Sequence, residues 1–268
     1  MPDNLYDELD LLYRKVWGKS LHHGLWISGK ESTSEAKEQL VDAVLDLLKP
    51  QGTVADIGCG YGELALKLAA RDSCFVHAWT QSSRQAERIP DHPNIRPACG
   101  DWLSHSLPGQ SLDQALAVES LSHFASFDRF AEVTSGALKN DGILVVADWF
   151  GCGRSSTLLD QLARAGEIPL WRHRNKFIES AGQQGLILVE SIDLSHQVAR
   201  TWLAMLKRAL LLPLRDFSSI PSLLKSSWRR PELVWAFPLL HRAYKKGLLE
   251  YHLLKFIKSS ELSSRPSS

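Results

Sequence analysis

Cysteine is scarce in this 268-residue sequence: Cys59, Cys74, Cys99 and Cys152 stand apart, with no C-x-x-C pair among them. Such spacing speaks against a zinc site and against a disulfide framework, and it fits a reducing cytosol. Long apolar runs are missing too, none reaching the roughly 18 residues of a membrane-spanning helix. The first residues, Met-Pro-Asp-Asn-Leu-Tyr-Asp-Glu, are acidic and lack a basic stretch followed by an apolar core, so no signal peptide is expected and a cytoplasmic location is. Charge of one sign is also missing overall, since the net charge is +1. With 44% hydrophobic and 23% charged residues the composition is that of a folded domain, and disorder is expected only in the serine-rich tail, residues 259–268.

The near-zero balance conceals an asymmetry. Residues 1–150 carry 13 Lys or Arg against 21 Asp or Glu, whereas residues 151–268 carry 18 against 9. Polar helical faces in a cap over a substrate explain a basic second half, and contact with an anionic lipid surface or an acidic substrate group is the alternative.

What is present is organised around residues 53–63, Thr-Val-Ala-Asp-Ile-Gly-Cys-Gly-Tyr-Gly-Glu. Val54 to Ile57 reads as a strand interrupted by one carboxylate, and Leu64, Leu66, Leu68, Ala69 and Ala70 open a helix. A tight turn between them needs residues that tolerate positive φ and let a ligand approach the backbone, which Gly58, Gly60 and Gly62 supply. A dinucleotide site would show G-x-G-x-x-G with an acid about 20 positions later. Here the spacing is G-x-G-x-G and the acid, Asp56, comes before the first glycine. A carboxylate in that place can accept hydrogen bonds from an ammonium-bearing ligand and would repel a pyrophosphate.

With those residues in that order, the stretch resembles the first motif of class I S-adenosylmethionine-dependent methyltransferases. Tyr6-Asp7, Trp17-Gly18 and His22-His23-Gly24-Leu25-Trp26 further resemble the N-terminal segment of the γ-tocopherol methyltransferase-like group, which is related to cyclopropane fatty acid synthases and plant N-methyltransferases. The resemblance implies S-adenosylmethionine as cofactor, held by Asp56, Gly58, Cys59, Gly60 and Gly62, beneath a lid to which Tyr6, His23 and Trp26 contribute. No metal is expected, because adjacent His22 and His23 cannot face one ion as histidines spaced i and i+4 on a helix do. Ser32 to Glu35 offers N-caps for a helix that ends near Pro50.

Further along, Phe75 to Ala78 reads as strand two and is followed by Thr80-Gln81-Ser82 in place of the acid usual for ribose hydroxyls. The resembling group commonly has a threonine there, which assigns Thr80 and Gln81 to the cofactor. Strand three, Ile95 to Cys99, ends at Asp101-Trp102, a carboxylate suited to an adenine amino group beside a ring suited to stacking. Strand four, Leu112 to Val118, leads into Glu119-Ser120-Leu121-Ser122-His123-Phe124, which is similar to the Glu-Ser-x-x-His segment of the same group. Glu119 is accordingly expected at the cofactor, Ser120 at the acceptor, and His123 as a base, its ordinary pKa lying near neutrality. Lys139 to Gly142 reads as a turn before strand five, Ile143 to Ala147, with Trp149 at its ligand edge, and Trp171 to Gln184 reads as a helix.

The expected architecture is an α/β, Rossmann-like sheet of seven mostly parallel strands with helices on both faces. Residues 1–48 would form an N-terminal helical lid, beginning with a helix over 5–17, and residues 49–192 the cofactor-binding core. Residues 193–247 would form a wholly helical cap rich in large apolar side chains, among them Trp202, Met205, Phe217, Trp228, Trp235, Phe237 and Tyr244, and residues 248–258 the last strand. Such a cap, with Trp202 at the acceptor, suits a lipophilic small molecule: a prenylquinone, a sterol-like lipid or a hydrophobic natural product. A non-methylating cyclase that binds the same cofactor is one alternative. An RNA methyltransferase is another, disfavoured by the near-neutral charge and by the absence of an appended basic module or an Asn-Pro-Pro-Tyr signature.

Overall fold

The computed structural model describes residues 16–18, 20, 22–104, 107–153, 156–165, 172–216 and 232–260. Tyr6, the helix expected over 5–17 up to its last two residues, Trp171, Phe217, Trp228 and the tail beyond Ser260 lie outside the described residues, as does the side chain of Trp235.

Helix α1 (Thr33–Leu48) starts where Ser32 and Glu35 form a reciprocal capping box, each side chain accepting from the other's peptide N–H. It stops at left-handed Lys49, just ahead of Pro50. Strand β1 (Gly52–Ile57) then runs into the glycine turn and α2 (Glu63–Ala69). Next come β2 (Cys74–Thr80), the single turn α3 (Ser83–Ala86), β3 (Ile95–Cys99) and β4 (Leu112–Val118). After a 3-10 turn at Leu121–His123 follow α4 (Phe127–Ala137), β5 (Leu138–Gly151), α5 (Thr157–Ala165), α6 (Arg174–Gln183) and β6 (Leu186–Asp193). Helices α7 (Ser195–Val198), α8 (Arg200–Arg215) and α9 (Glu232–Lys245) precede the last strand, β7 (Leu249–Lys258).

The seven strands form one sheet in the order β3-β2-β1-β4-β5-β7-β6. β1 to β5 pair in parallel, and β7 lies antiparallel to both β5 and β6. Strand order reverses between β1 and β4, and ligands of open α/β sheets bind outside the carboxyl ends at such a point. Because β6 ends and β7 begins at that same edge, the chain between them, α7 to α9, is carried over the ligand edge by connectivity alone.

Alternating strand residues divide the core between the two faces. Val54, Leu116, Val145, Tyr251 and Leu253 pack with α1 and the α8–α9 pair, whereas Ala55, Ile57, Leu144, Phe150, Leu254 and Phe256 pack with α4 and α6.

One expectation changes. The turn expected at Lys139–Gly142 is absorbed into β5: Leu112 pairs with Leu138 but Gln114 with Ile143, so the extra residues bulge from a continuous strand, with Asp141 at φ +59°. The helix expected from Trp171 to Gln184 is described from Arg174 as α6, behind an N-cap made by the His173 side chain, while α7, α8 and α9 follow Asp193 as separate helices.

Candidate active site

The glycine loop is shaped by close approach. Gly58 stands at φ +82°, and a Cβ built there would lie 2.3 Å from Cβ of Ser120. Ser120 comes that close because its hydroxyl donates to the Ile57 carbonyl at 2.5 Å, tying the end of β4 to the end of β1. Gly62, at φ +78°, would meet Ile89 and Pro90, while Gly60, at φ +56°, faces nothing within 4 Å. One wall of the loop is thus packed and its tip is open. Cys59 is half-buried beside them, its thiol pushed up by burial and then by the Asp56 charge.

Asp56 is buried beneath this loop, with burial pushing its carboxyl up to about 7 despite a hydrogen bond from the Ala65 peptide N–H, and its Oδ2 has no hydrogen-bond partner. A buried carboxylate oxygen left unpaired is costly unless a ligand donor meets it. An orphaned oxygen below an open glycine tip fits the ammonium end of S-adenosylmethionine.

On the neighbouring strands, Thr80 is buried and its hydroxyl donates to Gln85 at 2.7 Å, while Gln81 is exposed and reaches Asp101 at 3.4 Å. Asp101 accepts from the Leu103 peptide N–H and the Ser104 hydroxyl, which fixes its carboxylate at the end of β3. Trp102 differs from expectation. Its ring is 2% exposed, packed edge-on against Trp79, and its indole N–H donates to Thr134 of α4, so the surface expected to stack on a ligand is occupied by the core.

Past β4 the chain takes positive φ at Glu119, +54°. That turns its carboxylate onto the lid segment, where Oε1 accepts from the His23 peptide N–H at 2.7 Å and the Tyr251 hydroxyl at 3.0 Å, and Oε2 lies 2.8 Å from His23 Nδ1. Burial favours the neutral acid, but the His23 charge and the ring and peptide N–H donors of His23, with the His22 charge, prevail and hold Glu119 below the usual carboxylate range. Tyr244 lies 3.5 Å from the other ring nitrogen of His23. Burial, then the Glu119 charge, raises both tyrosine hydroxyls well above their ordinary value, which keeps them proton donors.

His23 is the hub of an aromatic cluster, its ring 4.9 Å from Trp202, 5.2 Å from Trp149 and Tyr251, and 5.9 Å from Tyr244. Trp149 and Trp202 stack at 5.4 Å and 12°. The Trp202 indole N–H is buried without a partner, whereas Trp149 donates to Ser122 at 2.9 Å. Trp26 is held apart from this group by α8: its indole N–H donates to Thr201, which also accepts from the Gly24 peptide N–H, and Arg200 lies over its ring.

His123 ends the 3-10 turn, half-buried. The turn is braced on both sides. The Ser122 peptide N–H donates to Asp148, which burial pushes up to about 7, and Arg172 donates to the carbonyls of Phe124 and Ala125 while its guanidinium lies over Phe127. The lid loop has its own clasp: Lys37 of α1, pushed down to about 8 by burial, donates to the carbonyls of Trp17 and Ser20, and the Ser20 hydroxyl donates to Glu63 of α2.

The structure brings Asp56, the glycines, Glu119, Ser120, His123, His23, Trp149 and Trp202, all singled out in the sequence, together at one sheet edge. The sequence reading missed Tyr244, Tyr251, Asp148 and Lys37. Tyr244 was read only as part of the cap, and Tyr251 carries no motif: only its inward position on β7 brings it to Glu119. Among the described residues no group of three His, Cys, Asp or Glu could hold a metal ion.

Comparison with known proteins agrees with this geometry. Residues 54–142 match the methyltransferase domain family. The chain is 22% identical to the chloroplastic tocopherol O-methyltransferase of Arabidopsis thaliana, over 93% of this chain and 79% of that protein. It is 26% identical to the 2-methyl-6-phytyl-1,4-hydroquinone methyltransferase of Synechocystis sp., over 96% and 87%. Its fold superposes on the cyclopropane synthase MmaA2 of Mycobacterium tuberculosis with a TM-score of 0.79 at 17% identity, covering 95% of both chains. With the motif, the orphaned carboxylate and the sheet order in agreement, the chain belongs to the class I S-adenosylmethionine-dependent methyltransferases.

Proposed function

We propose that this enzyme methylates a lipophilic small molecule, with a prenylated hydroquinone as the first class to test and a sterol-like lipid or another hydrophobic natural product next. The observation that carries this reading is the cluster of His23, Trp149, Trp202, Tyr244 and Tyr251 over the ligand edge, a wall built largely of aromatic rings. The names of the tocopherol and phytyl-hydroquinone methyltransferases support it. A cytoplasmic location, a role in secondary metabolism and contact with an anionic membrane surface belong to the same proposal, the last supported by the basic second half of the chain. No helix among the described residues is long and apolar enough to cross a membrane.

S-adenosylmethionine supplies an electrophilic methyl group when bound. Asp56 would take its ammonium, Gly58, Cys59, Gly60 and Gly62 would pass close to it, Thr80 and Gln81 would flank it, and Asp101 would accept from its adenine amino group. Tyr6 and His23 would close the lid, residues 1–48, and Ser120, Trp149 and Trp202 would position the acceptor under the cap, residues 193–247, whereas Trp26, whose indole N–H is tied to Thr201, would brace the lid against α8 instead of meeting the acceptor. Excluding water and holding an acceptor oxygen or carbon in line are the protein's main contributions, and such positioning lowers a barrier by about 7–11 kcal/mol. His123 would accept the proton that a phenolic acceptor loses.

The test is to incubate the enzyme with methyl-labelled cofactor and each acceptor class, following label in the product and release of S-adenosylhomocysteine. Label in a prenylated hydroquinone is the expected result. Cofactor binding without transfer to any class would replace this reading with a non-methylating enzyme. His123→Ala should lower turnover by about 100-fold with cofactor affinity unchanged. Unchanged turnover would remove His123 as the base.

A further inference from the structure

We propose that the outer face of α8 docks the enzyme on an anionic lipid bilayer, so that a bilayer-borne acceptor reaches the aromatic cluster on the inner face of the same helix. Its purpose rests on the lipophilic-acceptor reading above; the surface itself rests on the residues of the helix.

The sequence of α8, Arg-Thr-Trp-Leu-Ala-Met-Leu-Lys-Arg-Ala-Leu-Leu-Leu-Pro-Leu-Arg, holds four cations and no anion. Its inner face buries Thr201, Trp202 and Met205, and Trp202 is the residue that stacks on Trp149 and meets His23. The opposite stripe should then be polar. Instead Leu203 is 42% exposed, Leu210 68% and Leu214 73%, and with exposed Lys207 they recur at i, i+4, i+7 and i+11, one line along the helix. Single exposed leucines are ordinary, but an aligned set on a helix otherwise rich in Lys and Arg is the pattern of an interfacial helix. The patch continues into the lid. Ile27 is 70% exposed, and its neighbours Trp26 and Gly29 lie beside Arg200, 5.4 Å from the Trp26 ring and 3.0 Å from a Cβ built on Gly29.

Charge selects the occupant. In a symmetric dimer through this face, Arg200 and Lys207 of two copies would face each other with no acid of the helix to pair them. A nucleic acid would satisfy the cations and gain nothing from the leucines. A bilayer with anionic headgroups matches both, because headgroups meet the cations while the leucines enter the acyl boundary.

The test uses the full chain and sedimentation with phosphatidylcholine vesicles, with and without phosphatidylglycerol. Wild type should sediment with the anionic vesicles and release at high salt. The double variant Leu210→Glu, Leu214→Glu should bind them at least about tenfold more weakly, with cofactor affinity by calorimetry unchanged to show that it folds. Failure of the wild type to sediment, or equal sedimentation of the variant, overturns the proposal; so does light scattering that shows a wild-type dimer dissolved by the variant. Turnover of a prenylated hydroquinone should fall in the variant when the acceptor is in vesicles and persist when it is dispersed in detergent. Absence of turnover in detergent by the wild type would remove the acceptor reading and leave the docking surface to be judged on vesicles alone.

Discussion

The two walls of the site are built in opposite ways. The glycine wall is local: from Asp56 to Ala65 a strand, a turn and the first turn of a helix follow one another, and the backbone itself makes the surface. The aromatic wall joins residues as far apart as His23 and Tyr244, separated by 221 positions, and consists of side chains held by one another. A wall made of backbone tolerates no added atom where it is packed, while a wall of side chains fails through loss of partners.

The largest effect that would sharpen this contrast is Gly58→Ala. A methyl 2.3 Å from Ser120, on a residue at φ +82°, must displace the loop. Cofactor affinity should fall more than about 1,000-fold, a loss of about 4 kcal/mol or more readable by calorimetry. Gly60→Ala, with open space around its Cβ, incurs only the left-handed strain of about 1–2 kcal/mol. Equal losses from both would break the comparison.

Asp56 comes next, through pH. The folded protein keeps its proton to about 7, whereas the unfolded chain releases it near 3.8. The folded state therefore binds more protons between those values, so stability is highest at the acid end of that window and declines as pH rises towards 7, by roughly 3–4 kcal/mol from this group. Asp56→Asn should flatten that decline in pH-dependent melting, leaving the part due to Asp148, whose carboxyl is raised in the same direction. An undiminished slope would remove Asp56 as its source.

On the aromatic wall, Glu119→Ala should cost about 3 kcal/mol in urea unfolding, because the donors of His23 and Tyr251 are left buried and unpaired. Glu119→Gln, which keeps acceptor oxygen for one of them, should cost less. The smallest effect is expected of Thr201→Val. It unties Gly24 and Trp26 from α8 for about 1–2 kcal/mol. A rise in KM at nearly constant kcat would show the lid loosened; a fall in kcat alone would place Thr201 in the chemistry instead.

The same division governs what could be read beforehand. Strand, glycine spacing and following helix were legible because φ limits, side-chain period and a preceding acid are properties of neighbouring residues. A mostly parallel sheet with helices on both faces followed from alternating elements and the place of the cap from the family resemblance, while the order of the strands came only with the fold. Trp102 was misplaced because a tryptophan beside a strand-end aspartate looks the same whether its ring faces solvent or α4; only Thr134 and Trp79, remote in sequence, decide it. The turn before β5 was misjudged for a related reason, since the pairing of Leu112 with Leu138 keeps the strand continuous.

By itself, then, the sequence determined the alternation of strands and helices and a glycine loop after an acid, since each rests on interactions a few residues apart, and its resemblance to a family supplied the class of cofactor. Tertiary structure alone decided that Glu119 is satisfied by His23 and Tyr251 and that Trp149 stacks on Trp202. It also decided that the leucines of α8 face outward. Those outcomes depend on which distant side chains compete for one buried position, and that competition is settled only when the sheet has closed and the cap has been laid across its edge.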